Sequence, residues 1–294
     1  MAFIISILEQ GMIYGIMALG MYITYRILDF PDMTVDGCFP FGVVAAIVMI
    51  RGGVLPILTL PICFVLGCII GMITGIINVY GRVRDLLAGI IMMTGLYSVN
   101  LVIAGRANLP MYEYYNIFDN TFLDSIIPES IKKFQTLIVL IIIVIVVKLI
   151  LDWYMRTKSG YMLRAVGDND TLVTSMGIDK GKVRIMGLAI ANGLVALAGS
   201  IFAQQQGYFD ISMGTGTAVI GLASVIIGTN IIKNPKIIGV TSTVIIGAII
   251  YRACVAVAIK AGLNPNLMKL VSAALLLIIL IITMERKKDV REGR

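Results

Sequence analysis

The chain has 294 residues, of which 59% are hydrophobic, with a mean hydropathy of +0.95 and a formal net charge of +7. Apolar runs of ~20 residues recur along its whole length, so it reads as an all-α, polytopic integral membrane protein with no soluble domain of any size. There is no histidine and no Gly-x-x-x-x-Gly-Lys-Ser/Thr loop, which excludes His-based hydrolytic triads, His-based zinc sites and nucleotide hydrolysis by this chain, and the basic residues lie between apolar runs, where membrane orientation explains them better than nucleic acid does.

The first span is expected from about Ile7 to Tyr25, and it is expected to stay, because Glu9 and Gln10 interrupt it and no small-residue cleavage site follows. Gly11 and Gly15 sit at GxxxG spacing, read as helix packing. Between Arg26 and Pro40 the chain carries Asp29, Pro31, Asp32, Asp36 and Gly37, a composition that rules out a continuous lipid-facing helix. Two readings stand side by side: a turn leading into a capped second helix, or a broken helix whose polar backbone borders an aqueous route. The run from Val54 to Val79 has Pro56 and Pro61 near its start and the stripe Gly67, Gly71, Gly75, which predicts a helix internal to the bundle.

The segment from Leu86 to Asn100 places Gly89, Thr94, Gly95, Tyr97, Ser98 and Asn100 where lipid would penalise polar groups. Either neighbouring helices satisfy them or they line a route, and Gly95 beside Thr94 also permits local unwinding. Residues 105–135 form the longest connection, with Pro110, Tyr112, Tyr114, Tyr115, Phe118 and Phe122; the loop caps one face or settles as an aromatic belt. The next span, about Thr136 to Tyr154, ends with Lys148 and Asp152 at pairing distance along a helix. Cys38, Cys63, Cys68 and Cys254 form no Cys-x-x-Cys pair and read as small core residues, and neither a metal nor a cofactor is implied.

The hydrophilic stretch Arg156 to Asp179 separates that span from an apolar run of small residues. Asp168 or Asn169 is placed to cap a short helix there and Gly177 to end it, with Leu172, Val173 and Met176 expected on one face. A helix so short is not stable alone and needs a partner. Further spans are expected at about Val183 to Ala203, Gly214 to Asn230, a run ending near Ala258, and Leu267 to Met284, giving about nine in all, or eight to ten if residues 29–40 are re-entrant. Arg252 falls inside the penultimate span with no obvious partner and is expected to snorkel outward.

Five stretches carry a resemblance: Leu163-Arg164-Ala165-Val166-Gly167-Asp168-Asn169 with Met176-Gly177-Ile178; Ala191-Asn192-Gly193 with Ala196 to Gly199; Asp29-Phe-Pro-Asp-Met-Thr-Val-Asp-Gly37; Leu86 to Asn100; and Gly214 to Asn230. The chain resembles the permease subunits of branched-chain-amino-acid type ABC importers, in the branch that works with lipoprotein-type binding proteins. The resemblance covers most of the chain, and it implies a single permease domain over residues 1–294. It also implies a cytoplasmic coupling loop at about 156–182, where Arg164, Gly167, Asp168, Asn169, Leu172, Val173, Met176 and Gly177 meet a separate ATP-binding subunit.

The aromatic loop at about 105–135 reads as external, either meeting a binding protein or settling as an aromatic belt, and the resemblance points to a transport route involving Thr34, Asp36, Gly37, Gly89, Thr94, Tyr97, Asn100 and Asn192. The expected partners are cytoplasmic ATP-binding subunits, an external substrate-binding lipoprotein, a second copy of the chain, the lipid bilayer and a small-molecule substrate, with no nucleic acid. A path with the N-terminus outside and the C-terminus cytoplasmic in a bacterial cell membrane leaves Lys and Arg roughly three to one in favour of the inner loops. Ion-coupled transport is the alternative, resting on Asp29, Asp32 and Asp36; an intramembrane enzyme using Asp32 and Asp36 as a metal-binding pair on one helix is a third reading.

Overall fold

The computed structural model describes residues 2–119, 134–231 and 239–260, together with 262, 267, 270–274, 276–278 and 281. Part of the expected span Leu267 to Met284 and the whole basic tail fall outside the described residues, as do Lys132, Lys133, Lys233 and Lys236 and the side chain of Leu172. The helices in chain order are α1 (Ala2–Met21), which continues as a π-helical turn Tyr22–Ile27, α2 (Val35–Arg51), α3 (Pro56–Val79), α4 (Asp85–Ala104), α5 (Gln135–Met155), α6 (Lys158–Asp168), α7 (Asp170–Ser175), α8 (Lys180–Gln206), α9 (Thr217–Ile231) and α10 (Val240–Lys260). Two short strands, β1 (Asn108–Pro110) and β2 (Tyr208–Asp210), pair antiparallel with Leu109 opposite Phe209. The chain is thus an all-α polytopic protein, and seven of its described helical segments are long and apolar enough to cross a membrane. α2, at 17 residues, is shorter than these.

The bundle is organised around α8, which packs against α1, α2 and α3 and is the most enclosed of the long helices. Its small side chains make this close packing feasible. Asp179 caps its start by accepting from the Gly181 and Lys182 N–H groups at 2.9 and 3.3 Å, and Gly207, at φ 75°, ends it in the left-handed conformation that glycine adopts without strain. The glycine stripe of α3 lies directly on α8: a Cβ added at Gly67 or Gly71 would stand 2.5 Å from the Asn192 carbonyl oxygen or 2.1 Å from that of Leu188. That packing was legible in the spacing, but α3 is not internal to the chain's bundle. Its other side presents Ile62, Val65, Ile69, Met72, Ile73 and Ile76 outward, while among the described residues its glycine-bearing side meets α8.

Gly11 and Gly15 let α1 approach α10 at Ile249 and Ile245, in keeping with the packing reading. Three expectations are corrected. α4 is continuous from Asp85 to Ala104, so no unwinding occurs at Thr94 and Gly95; helix hydrogen bonds outweigh the permissiveness of one glycine. Arg252 does not snorkel alone: its guanidinium donates to Gln10 and lies over the Tyr14 ring, 5.3 Å from the centroid. α1 and α10 bring these partners together from 242 residues apart, a distance in sequence that no local pattern bridges. Cys254 is exposed, whereas Cys38 and Cys63 are buried as expected of core residues.

Candidate functional site

The centre of the molecule is the connector Leu28–Thr34, which joins the π-helical turn to α2. Its proline- and aspartate-rich composition stops α1, and Asp29 takes a positive φ of 52°, uncommon for a residue with a side chain. Backbone outside a helix must find partners in a membrane, and here protein supplies them. Leu28, Phe30, Asp32 and Thr34 are buried while Asp29 and Pro31 are exposed, so one side of the connector packs against protein. The Asp32 carboxylate accepts from the Thr34 N–H at 2.8 Å and from Asn192 Nδ2 at 2.8 Å. Asn192 also donates to the Leu188 carbonyl at 3.1 Å, and the Cys38 thiol points to the Asn192 carbonyl at 3.4 Å. The Thr34 hydroxyl lies 3.2 Å from that of Thr74, which in turn donates to the Ile70 carbonyl. Asn192 is the thirteenth of the 27 residues of α8, so this cluster sits at the midpoint of a helix about 40 Å long.

One turn further, Asp36 serves a different helix. Its carboxylate accepts from the backbone N–H groups of Gly216 at 3.0 Å and Ala218 at 2.7 Å, and the Thr217 hydroxyl is 3.0 Å away. These N–H groups open α9, where helix geometry leaves them without internal partners and a negative charge is favourable. Pro40 inside α2 has no N–H to give to the Asp36 carbonyl, and the backbone at Gly214 packs against that spot: a Cβ there would be 1.9 Å from the Asp36 carbonyl oxygen. α2 and α9 are therefore joined at their N-terminal ends through one residue.

Of the residues expected on a transport route, Thr34 and Asn192 meet at Asp32. Gly37 and Asn100 meet each other, Asn100 Nδ2 donating to the Gly37 carbonyl at 3.0 Å, and Gly89 abuts the Met33 backbone. Asp36 turns away to α9. Thr94 and Tyr97 stand apart on the outward face of α4 with Ser98 and Gly95. Asp32, Thr74 and Gly216 were missed from the expected set; Asp32 had a signal, being a carboxylate between two apolar runs, but its partner Asn192 lies 160 residues away. Asp32 and Asp36 do not form a pair on one helix, since Asp32 precedes α2 and the two face different partners, and no group of three or more Cys, Asp or Glu side chains converges among the described residues. The ion-coupled reading loses its shared site for the same reason: Asp29 is exposed and Asp36 is occupied with α9.

The polar stretch after α5 forms two helices, not one, with Asn169 extended between them at φ −157° and its side-chain oxygen accepting from the Thr171 hydroxyl at 2.6 Å. The inner face of α6 is Gly160, Leu163 and Val166, while Tyr161, Arg164, Ala165 and Asp168 point outward, the i, i+3 spacing of an amphipathic helix. Gly167 rests on the end of α1, where a Cβ would come within 1.5 Å of the Ile27 carbonyl oxygen. In α7 the expected common face divides: Val173 is 1% exposed and belongs to the core, whereas Met176 is 69% exposed. The tertiary contact that anchors α7 takes Val173 inward and leaves Met176 past the helix end. Gly177, at φ 78°, terminates the turn, with Ile178 donating back to the Val173 carbonyl at 3.3 Å.

At the other end of α8, β1 and β2 hold Tyr112 against Tyr208 at a ring separation of 6.5 Å, and Arg51 lies over Tyr114. Gln204 ties this platform down: it accepts from the Ile117 N–H and donates to Thr59 and to the Pro56 carbonyl. Near the α6 end of the bundle, Lys148 pairs with Asp152 at 2.8 Å, as expected, and Asp152 also accepts from Thr241 of α10.

Comparison with known proteins gives the architecture its context. The family model described as branched-chain amino acid transport system / permease component matches residues 3–280. A tyrosine transport system permease protein of Clostridioides difficile is 37% identical over 277 residues, covering 94% of this chain and 90% of that protein. A probable branched-chain amino acid transport permease protein, LivH, of Methanocaldococcus jannaschii is 28% identical over 73% of this chain and 70% of its own length. The ribose import permease protein RbsC of Escherichia coli K12 is 26% identical over 83% and 74% respectively. No solved structure matches. With a polytopic helical bundle and a family match along nearly its whole length, the chain belongs to the branched-chain amino acid transport system permease family and is a membrane transport component of an ABC-type system, not an enzyme.

Proposed function

We propose that this chain is the membrane-spanning subunit of an ATP-driven importer of amino acids, with aromatic ones favoured, and that it works as a homodimer fed by an external lipoprotein. The substrate class rests on the tyrosine transport relative, which is more similar to this chain than the ribose import permeases are. The whole of residues 1–294 forms one permease domain. In a nine-span path α1 to α5, α8, α9, α10 and the segment Leu267 to Met284 cross the bacterial cell membrane, with the N-terminus outside and the C-terminus cytoplasmic. That path puts α6 and α7 inside with Arg26, Arg82 and Arg84, and the Tyr112, Tyr115 and Tyr208 platform outside, where it receives the binding protein.

The observation that carries the reading is the α6–α7 platform. Its Leu163, Val166 and Val173 are committed to the chain's own core, while Arg164, Asp168 and Met176 are presented outward, at the spot where Gly167 touches the end of α1. A surface so built passes a push from an ATPase to the connector carrying Asp32. Arg164→Glu combined with Met176→Asp is expected to cut uptake at least about tenfold in a reconstituted importer, the loss of a contact worth more than ~1.4 kcal/mol, while leaving the permease's thermal stability unchanged. Val173→Asp is expected to lower stability instead. Unchanged uptake in the double variant sinks the coupling assignment.

A further inference from the structure

Among the described residues only one charged side chain is enclosed away from water, the carboxylate of Asp32, and it lies level with the midpoint of α8. The Thr34 N–H and Asn192 Nδ2 both reach it as donors, so it acts there as an acceptor. No Lys or Arg of the described residues lies within ion-pair distance of it. Neutral donors do not cancel a charge, and an enclosed, uncompensated carboxylate costs several kcal/mol.

A second, independent feature lies one amide group away. Asn192 spends its Nδ2 on Asp32 and on the Leu188 carbonyl, which leaves its buried Oδ1 with no donor among the described residues. A buried acceptor normally finds a partner. An apolar occupant serves neither group, and a neutral hydroxyl can donate to either oxygen but leaves the charge of Asp32 uncompensated; a small positively charged group answers both needs. α3 closes over α8 at this level, a Cβ at Gly67 standing 2.5 Å from the Asn192 backbone carbonyl oxygen, so the surroundings are packed protein. We infer that Asp32 and Asn192 form a binding site for a small cation, of the size of a primary ammonium group or an alkali-metal ion, where the connector meets α8. An ionisable group inside a membrane protein characteristically marks such a partner or route. The ammonium source, the amino group of an amino acid in transit, rests on the function proposed above; the alkali-ion source does not.

The test uses the purified full-length permease in lipid nanodiscs, with thermal unfolding followed in sodium, potassium, methylammonium and choline chlorides at matched ionic strength. At least one small cation is expected to raise the midpoint by about 3 °C or more over choline at concentrations well above its Kd. The rise is expected to vanish in Asp32→Asn, which keeps an oxygen for the Asn192 amide, and to grow in Asn192→Asp, which sets a second carboxylate beside the first. A rise in methylammonium that exceeds those in sodium and potassium assigns the site to an amino group, the reverse order assigns it to a metal ion, and equal rises support a site for small cations of either kind. Indistinguishable curves in all four salts, or an equal rise in Asp32→Asn, overturn the proposal. Uptake of labelled amino acids by the assembled importer is measured separately: no uptake with the cation response intact sinks the substrate reading and leaves the site standing.

Discussion

Asp36→Ala is expected to destabilise the permease by about 2–4 kcal/mol, seen as a fall of roughly 5–15 °C in its unfolding midpoint. The carboxylate holds the N–H groups of Gly216 and Ala218 at 3.0 and 2.7 Å. Truncation leaves those donors facing protein without an acceptor and removes the one negative charge at the start of α9. The nearby backbone cannot move in to replace it, since Gly214 already packs against the Asp36 carbonyl and the Pro40 ring. Asp36→Asn retains one acceptor oxygen but turns an NH2 group towards a donor, so about half of the loss is expected. A midpoint for Asp36→Ala within about 2 °C of the unaltered protein refutes the cap.

The second large effect is steric. Gly71→Val is expected to abolish the folded permease, and even Gly71→Ala to cost about 2–3 kcal/mol, because α3 and α8 meet backbone to backbone there. A Cβ at Gly71 would be 2.1 Å from the Leu188 carbonyl oxygen and 2.8 Å from the Ala189 Cα, neither of which is the yielding tip of a side chain. Separating the two helices by the width of a methyl group would loosen every other contact along the seam, including the Thr59 and Ser200 hydroxyl pair at 3.3 Å. Gly95→Ala provides the contrast. Its Cβ would meet nothing within 4 Å on the open face of α4, so it is expected to be neutral or to stabilise by up to about 1 kcal/mol through helix propensity. Yield and monodispersity by size-exclusion chromatography, with thermal unfolding of whatever folds, separate the two; a well-folded Gly71→Val would show that the seam is looser than this packing requires.

Much of the candidate site was legible as a list of residues and little of it as an arrangement. Thr34, Gly37, Asn100 and Asn192 stood out because small or polar groups inside apolar runs need partners, and the structure supplies those partners: Asp32 for Thr34 and Asn192, the Gly37 carbonyl for Asn100. Asp36 stood out for the same reason, yet its task is to cap a helix that begins 181 positions later. The division between Val173 and Met176 was hidden, because one turn of helix places both on a single face and only the packing of α7 onto the bundle sends Val173 inward.

Composition and periodicity determined that this chain is a helical membrane protein, where its apolar helices run, that α1 must stop before Asp29, and that the edge of α3 bearing Gly67 and Gly71 meets another backbone. These properties depend on residues within a few turns of one another, where lipid solvation and local sterics act directly. Tertiary structure alone decided that Asp32 faces Asn192, that Asp36 serves α9, that Arg252 finds Gln10 and Tyr14, and that Gly167 rests on the end of α1. A hydrogen bond or an ion contact is satisfied equally well by any partner of the right chemistry, so which one is used depends on how the helices stack, and that is set by the whole packed bundle.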